Sequence, residues 1–246
     1  MLLDAYSWAQ IAVAVVATLG AGFVRGLTGF GFGILLVPIM ALAMPPVEAV
    51  LLLNLLAGLL ALMEIRYVLR EAERSAITIS ALLVLTVLPG LLLLGALPAD
   101  IARLLIALVA LSAFAAVLLP PRAASVPGPV RTAFTGLSAG ILTGFAAMPG
   151  PPVVPYYVGR QLPRRIAKAS MIGVFGVAAM TGVAAGAVTG LMSWRLALLG
   201  ALLFPLALLG NRIGSLAFGK VDDRTWRIFV GAVLAAAAIA ALVRLL

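Results

Sequence analysis

The sequence predicts an all-α polytopic membrane protein with about eight transmembrane segments. They are arranged as two inverted pseudo-repeats, and the first segment of each is broken or re-entrant. Three observations carry that expectation. Apolar runs of spanning length are separated by small islands of charge; a glycine–proline pattern occurs twice; and the basic islands share one face only if the second patterned segment turns back on itself.

Of the 246 residues, 64% are hydrophobic and 10% charged, and the mean hydropathy is +1.23. Soluble domains carry about 25% charged residues. So few polar groups cannot cover a water-soluble globule, which excludes a soluble enzyme. Stretches free of Asp, Glu, Lys and Arg cover 5–24, 26–47, 49–63, 75–99, 104–121, 132–159, 169–194, 196–211 and 228–243. A spanning helix needs about 20 apolar residues. The runs are rich in Leu, Ala and Gly and do not form the alternating segments of about 10 residues that mark a β-barrel. The net charge is +9, and 15 of the 17 basic residues are Arg. In a chain this apolar the excess belongs to cytoplasmic loops, so no nucleic acid is expected as a partner. There is no Cys and no His, so disulfides, thiolate chemistry, imidazole bases and haem or zinc ligation through those residues are excluded, and no cofactor is expected. The first segment has no basic leader (Asp4 is its only charge), so a cleaved signal peptide is not expected.

The first half, residues 1–119, opens with residues 22–38, GFVRGLTGFGFGILLVP, which hold five glycines between 22 and 33. Full spans follow at about 47–66, 76–97 and 102–119. Residues 120–130, PPRAASVPGPV, contain four prolines and a glycine; they cannot continue a helix and read as a cytoplasmic linker. The second half, 131–246, repeats the plan. Leu27-Thr28-Gly29-Phe30 recurs as Leu142-Thr143-Gly144-Phe145; Gly33 and Pro38 recur as Gly150 and Pro155; Pro46 recurs as Pro163. Spans follow at about 166–190, 195–218 and 226–245.

Basic residues cluster at Arg66, Arg70 and Arg74; at Arg122 and Arg131; at Arg160, Arg164, Arg165 and Lys168; and at Lys220, Arg224 and Arg227. The positive-inside bias places all four clusters in the cytoplasm, with Arg195 and Arg244 as exceptions. The uncharged run 132–159 then enters and leaves by the same face. It is long for one span and short for two, which points to a hairpin broken at Gly144–Pro152. One hairpin plus three spans per half inverts the second half, a plan used by secondary transporters. If the patterned segments instead cross fully, the halves run parallel.

Broken backbone in hydrocarbon leaves unpaired N–H and C=O groups, and survives only where protein covers it or a watery cavity faces it. A helix that restarts inside a membrane presents free amides and the positive end of its dipole. Proline in the first turn loses nothing there. Two such restarts, at Gly33 and Gly150, would make an anion site. The sequence offers no midspan carboxylate for a cation. The candidate anion-binding set is Arg25, Gly29, Gly31, Gly33 and Asn54 in the first half, with Gly144, Gly150, Pro151, Val153 and Ser170 in the second. Each has a plainer alternative. Glycines permit close helix packing, Arg25 can snorkel to an interface, and Asn54 and Ser170 can bond neighbouring helices. Catalysis has little support: there is no His for a rhomboid-type protease, no pair of buried Asp, and no phosphate-binding loop.

The duplicated segment ending in Val-Pro resembles the TauE/SafE sulfite exporter family, also called the toluene sulfonate uptake permeases. It comprises Gly26-Leu27-Thr28-Gly29-Phe30-Gly31-Phe32-Gly33 to Val37-Pro38, then Thr143-Gly144, Gly150 and Val154-Pro155. The likeness extends to Gly210-Asn211-Arg212-Ile213-Gly214 and over nearly the whole length. It implies a transporter, not an enzyme, moving sulfite, sulfoacetate or other organosulfonates across the bacterial inner membrane. Proton coupling is implied in the same way, although no buried carboxylate or His marks a proton route. Met148-Pro149-Gly150-Pro151-Pro152 departs from the family's glycine run, which leaves the substrate open. A passive anion channel and a non-transporting scaffold are the rival expectations, and a homodimer is left open.

Overall fold

A computed structural model describes residues 6–28, 30–118, 127–158, 160, 162–217, 232, 235 and 238–243. The described residues are helical throughout, without strands. The named helices are α1 (Trp8–Thr28), α2 (Phe32–Ala43), α3 (Pro46–Met63), α4 (Ile65–Glu71), α5 (Arg74–Ala96), α6 (Ala99–Leu118), α7 (Pro129–Ala146), α8 (Gly150–Val158), α9 (Arg164–Val188) and α10 (Trp194–Ala217). By length and composition, five of these are apolar enough to cross a membrane: those in α1, α3, α5, α9 and α10. Helices α3, α5, α6, α9 and α10 lie within a few residues of the spans expected from the charge-free runs. The expected linker, the 219–227 cluster and the span at 226–245 fall largely outside the described residues. Helix α4 occupies what the charges marked as a loop.

Proline shapes these helices. Pro46 and Pro129 occupy first-turn positions of α3 and α7, where a missing N–H costs nothing. Pro38, Pro89, Pro155 and Pro205 lie inside α2, α5, α8 and α10. Membrane helices tolerate this because neighbouring elements satisfy the freed backbone groups.

Each half begins with a helical hairpin. Between α1 and α2, Gly31 takes φ 89°, a left-handed conformation that suits glycine. Between α7 and α8, Ala147 takes φ 51°, and the N–H groups of Ala147 and Met148 donate to the carbonyls of Thr143 (2.8 Å) and Leu142 (3.2 Å). Both second legs run back to where the first began. Gln10 Nε2 donates to the Ala43 carbonyl at 2.7 Å, and the hydroxyls of Thr132 and Tyr156 meet at 2.9 Å. The legs are unequal. The 21 residues of α1 extend about 32 Å, enough to cross by themselves, whereas the 12 of α2 extend about 18 Å.

The two halves exchange partners. Gly22 lies against Ala207 and Asn211, and Gly26 against Asn211 and Ser215, so α1 and α10 run in the same direction. Gly136 lies against Ile79 and Leu82, Gly140 against Leu83 and Thr86, and Gly144 against Val87 and Leu91, so α5 and α7 also run together. Glycines four apart let these backbones meet closely. Gly58 faces Ala179 and Met180, Gly176 faces Ala61, and Gly186 faces Leu51, so α3 and α9 run in opposite directions.

Helix α3 is buried along most of its length, with Val50, Leu51, Leu52 and Leu56 inaccessible. Leu85, Leu92, Leu93, Leu202 and Leu209 are exposed on the outside, where acyl chains would cover them. Two basic clusters gather at one end of the bundle. Arg165 pairs with Glu71 at 2.7 Å, and Arg160 with Glu73 at 2.8 Å; the Tyr67 hydroxyl donates to the Arg165 carbonyl at 2.8 Å.

Candidate functional site

A cavity of about 100 Å³ opens where the two hairpin breaks meet beside α3 and α9. One water needs about 10–15 Å³ of such space, so the cavity has room for one small oxyanion. Its walls are mainly apolar: Phe30, Leu53, Ala57, Ile172 and Phe175 contribute, with Met148 and Pro149 from the second break. Its lining on α3 runs from Asn54 through Ala57 to Ala61, from the middle of the helix toward the end that carries the arginines.

The sequence builds the polar part of this cavity in three ways. First, α2 restarts at Phe32 with Gly31 at its N-cap and no side-chain cap. The amides of Phe32, Gly33 and Ile34 therefore lack a preceding turn to bond, and all three residues line the cavity. Gly33 is required for this approach: a Cβ there would lie 2.8 Å from the carbonyl oxygen of Ala147, in the opposite break. Second, α8 restarts at Gly150, also in the lining. Third, Asn54 sits midway along α3, only 2% exposed, and its Nδ2 has no hydrogen-bond partner. An unpaired buried amide costs about 1–3 kcal/mol; this one lies against Gly182 of α9, and a turn of the side chain would bring it to an acceptor in the cavity that the residue borders.

Arg25, in the last turn of α1, lines the cavity toward the arginine-rich end. It is already engaged. Its Nη2 lies 2.7 Å from Glu64 Oε2, and its Nη1 donates to Asn211 Oδ1 at 3.0 Å. The side chains of Arg25 and Glu64 are 15% and 31% exposed.

Of the residues expected from sequence, Arg25, Gly31, Gly33, Asn54, Gly150 and Pro151 line the cavity. Gly29 lies outside the described residues. Gly144 is not at the break but inside α7, where it admits the backbone of α5; here the packing role of glycine prevails. Val153 is fully buried on another side of α8. Ser170 is also buried away from the cavity, and its Oγ accepts the Glu73 N–H at 2.9 Å. The amide row expected across Gly150–Val153 is thinned because Pro151 and Pro152 have no N–H. The α2 terminus is thus the richer donor.

Glu64 and Asn211 escaped the sequence reasoning. A signal existed for Glu64: Arg25 is an isolated charge and Glu64 is an opposite one, each bordering an apolar run, and such charges tend to find each other. Asn211 was marked by the Gly210-Asn211-Arg212-Ile213-Gly214 likeness, which gave it no role; its neighbour Arg212 faces outward.

A family model described as "Sulfite exporter TauE/SafE" matches residues 14–241. No curated protein and no solved structure matches the chain.

Proposed function

The chain belongs to the TauE/SafE sulfite exporter family of membrane transporters, and from that premise we propose that it is a secondary transporter for small sulfur-containing anions. Sulfite, sulfoacetate and other organosulfonates are the substrate class, and the bacterial inner membrane is the setting. The observation that carries this reading is an uncapped helix N-terminus ending at a cavity that the buried Asn54, with its unpaired amide, also borders. Amides and a helix dipole attract an anion without adding a further buried charge to the site. The sulfonate or sulfite oxygens would accept from the amides of Phe32, Gly33, Ile34 and Gly150 and from Asn54 Nδ2, with the apolar walls enclosing the remainder.

Alternating access would come from two inverted repeats, 1–119 and 131–246, joined by the 120–130 linker and rocking about the site. Two contact patterns support that arrangement. The first helix of each half packs along a later helix of the other, and α3 opposes α9 in direction. The arginine clusters make the cavity end a cytoplasmic one.

The test is sulfite and sulfoacetate flux into proteoliposomes holding the purified full chain. Saturable flux that responds to an imposed pH gradient is expected. Ohmic, unsaturable current would establish a channel instead, and absence of flux with every anion would establish a scaffold.

A further inference from the structure

The guanidinium of Arg25 borders the anion cavity, yet its partner in this structure is a carboxylate of the same chain. We propose that Glu64 is a tethered substitute for the transported anion, holding Arg25 while the cavity is empty and yielding it when the anion arrives. This rests on the transporter reading above and adds to it a residue that sets affinity and couples occupancy to helix movement.

Three observations carry the inference. The first is chemical. A carboxylate, a sulfonate and sulfite all present oxygens to a guanidinium in the same way, through charge-assisted hydrogen bonds. Arg25 holds Glu64 through Nη2 alone, at 2.7 Å, and Asn211 through Nη1. The second is electrostatic. A cation at the edge of an apolar cavity, mostly shielded from water, is costly when unpaired. Glu64 neutralises it in the empty protein, and the anion neutralises it in the loaded one. The third is mechanical. Glu64 stands at the joint between α3 and α4, with φ −99° and ψ 5°, outside the regular helix on either side. It is the more exposed member of the pair, so it can swing toward water without unwinding a helix. Because Asn211 belongs to α10, Arg25 ties α1 to the α3–α4 joint and to the second half at one point. Exchange of Glu64 for substrate unties the joint only when the cavity is filled.

The experiment measures sulfite and sulfoacetate affinity of the purified full chain by thermal stabilisation across an anion titration. Glu64→Gln removes the competitor and keeps the shape; its apparent Kd is expected to fall about ten-fold, the worth of one charge-assisted hydrogen bond. Arg25→Gln is expected to raise the Kd by at least a similar factor. Asn211→Ala cuts the other tie and is expected to lower the melting temperature without tightening binding. That separates loss of a competitor from a merely loosened fold. If Glu64→Gln does not yield folded protein, Glu64→Asp withdraws the carboxylate by one methylene and is expected to lower the Kd in the same sense. An unchanged or higher Kd in the folded Glu64 variant overturns the proposal while leaving the transporter reading intact. Absence of any anion response, in the unmodified chain and the variants alike, overturns both.

Discussion

Replacing Asn54 by Leu should move stability and transport in opposite directions. The side chain is 2% exposed and its Nδ2 has no partner. In the empty protein that donor bears a desolvation cost of about 1–3 kcal/mol. Leu has nearly the same shape, and α9 receives residue 54 at Gly182, where a Cβ would lie 2.7 Å from Asn54 Cγ. Asn54→Leu would therefore remove the cost and retain most of the packing, raising stability by about 1 kcal/mol after some steric loss. With an anion bound as proposed, the same amide would donate one charge-assisted hydrogen bond worth about 1.5–3 kcal/mol. Its loss should weaken apparent affinity by about 10- to 100-fold. The assay pairs melting in detergent, with and without sulfite, against KM for sulfite in proteoliposomes. A variant that melts lower than the parent and keeps its KM would refute the reasoning, because Asn54 would then be a packing residue with a hidden partner.

Three further outcomes are expected. Gly26→Ala should destabilise by about 1–3 kcal/mol through overpacking, because the new Cβ would lie 2.8 Å from both the Asn211 carbonyl carbon and the Ser215 nitrogen; Gly20→Ala on the same helix, with open space around it, should be neutral or stabilising. Paired melting curves check the contrast. Gly31→Ala should cost about 1–2 kcal/mol, because φ 89° strains any residue with a Cβ, and Gly31→Asn should recover part of it in the same melting assay. Arg160→Gln should lower stability by about 1–2 kcal/mol, since it leaves Glu73, half-shielded and gripped at 2.8 and 2.9 Å, without its cation. The double variant Arg160→Gln/Glu73→Gln should be less impaired than the single one, as a double-mutant cycle would measure.

The candidate site was partly legible because some of its constraints are local. Gly31, Gly33, Gly150 and Pro151 follow from what backbone can do inside hydrocarbon, and that chemistry is written in residue type and spacing. Asn54 was visible as a lone polar group in an apolar run. Gly144 and Ser170 were misplaced for one reason: a glycine that opens a break and one that admits a neighbouring helix have the same local signature, and a serine does not announce its partner. Which role applies depends on a surface contributed by residues far along the chain.

A helical membrane protein, the positions of most spans, the doubled broken segment and the end of the bundle that gathers arginine could all be read from residue order. These follow from hydropathy, from the rigid demands of proline and glycine, and from the cost of charge in lipid, all of which act over a turn or two of chain. Helix packing alone brings the breaks together at Gly33 and Ala147, leaves the Asn54 amide unpaired against Gly182, and joins Arg25 to Glu64 and Asn211. Residues 25 and 211 belong to different halves, and their meeting is set by how α1 lies along α10, a packing of whole helices that no local pattern encodes.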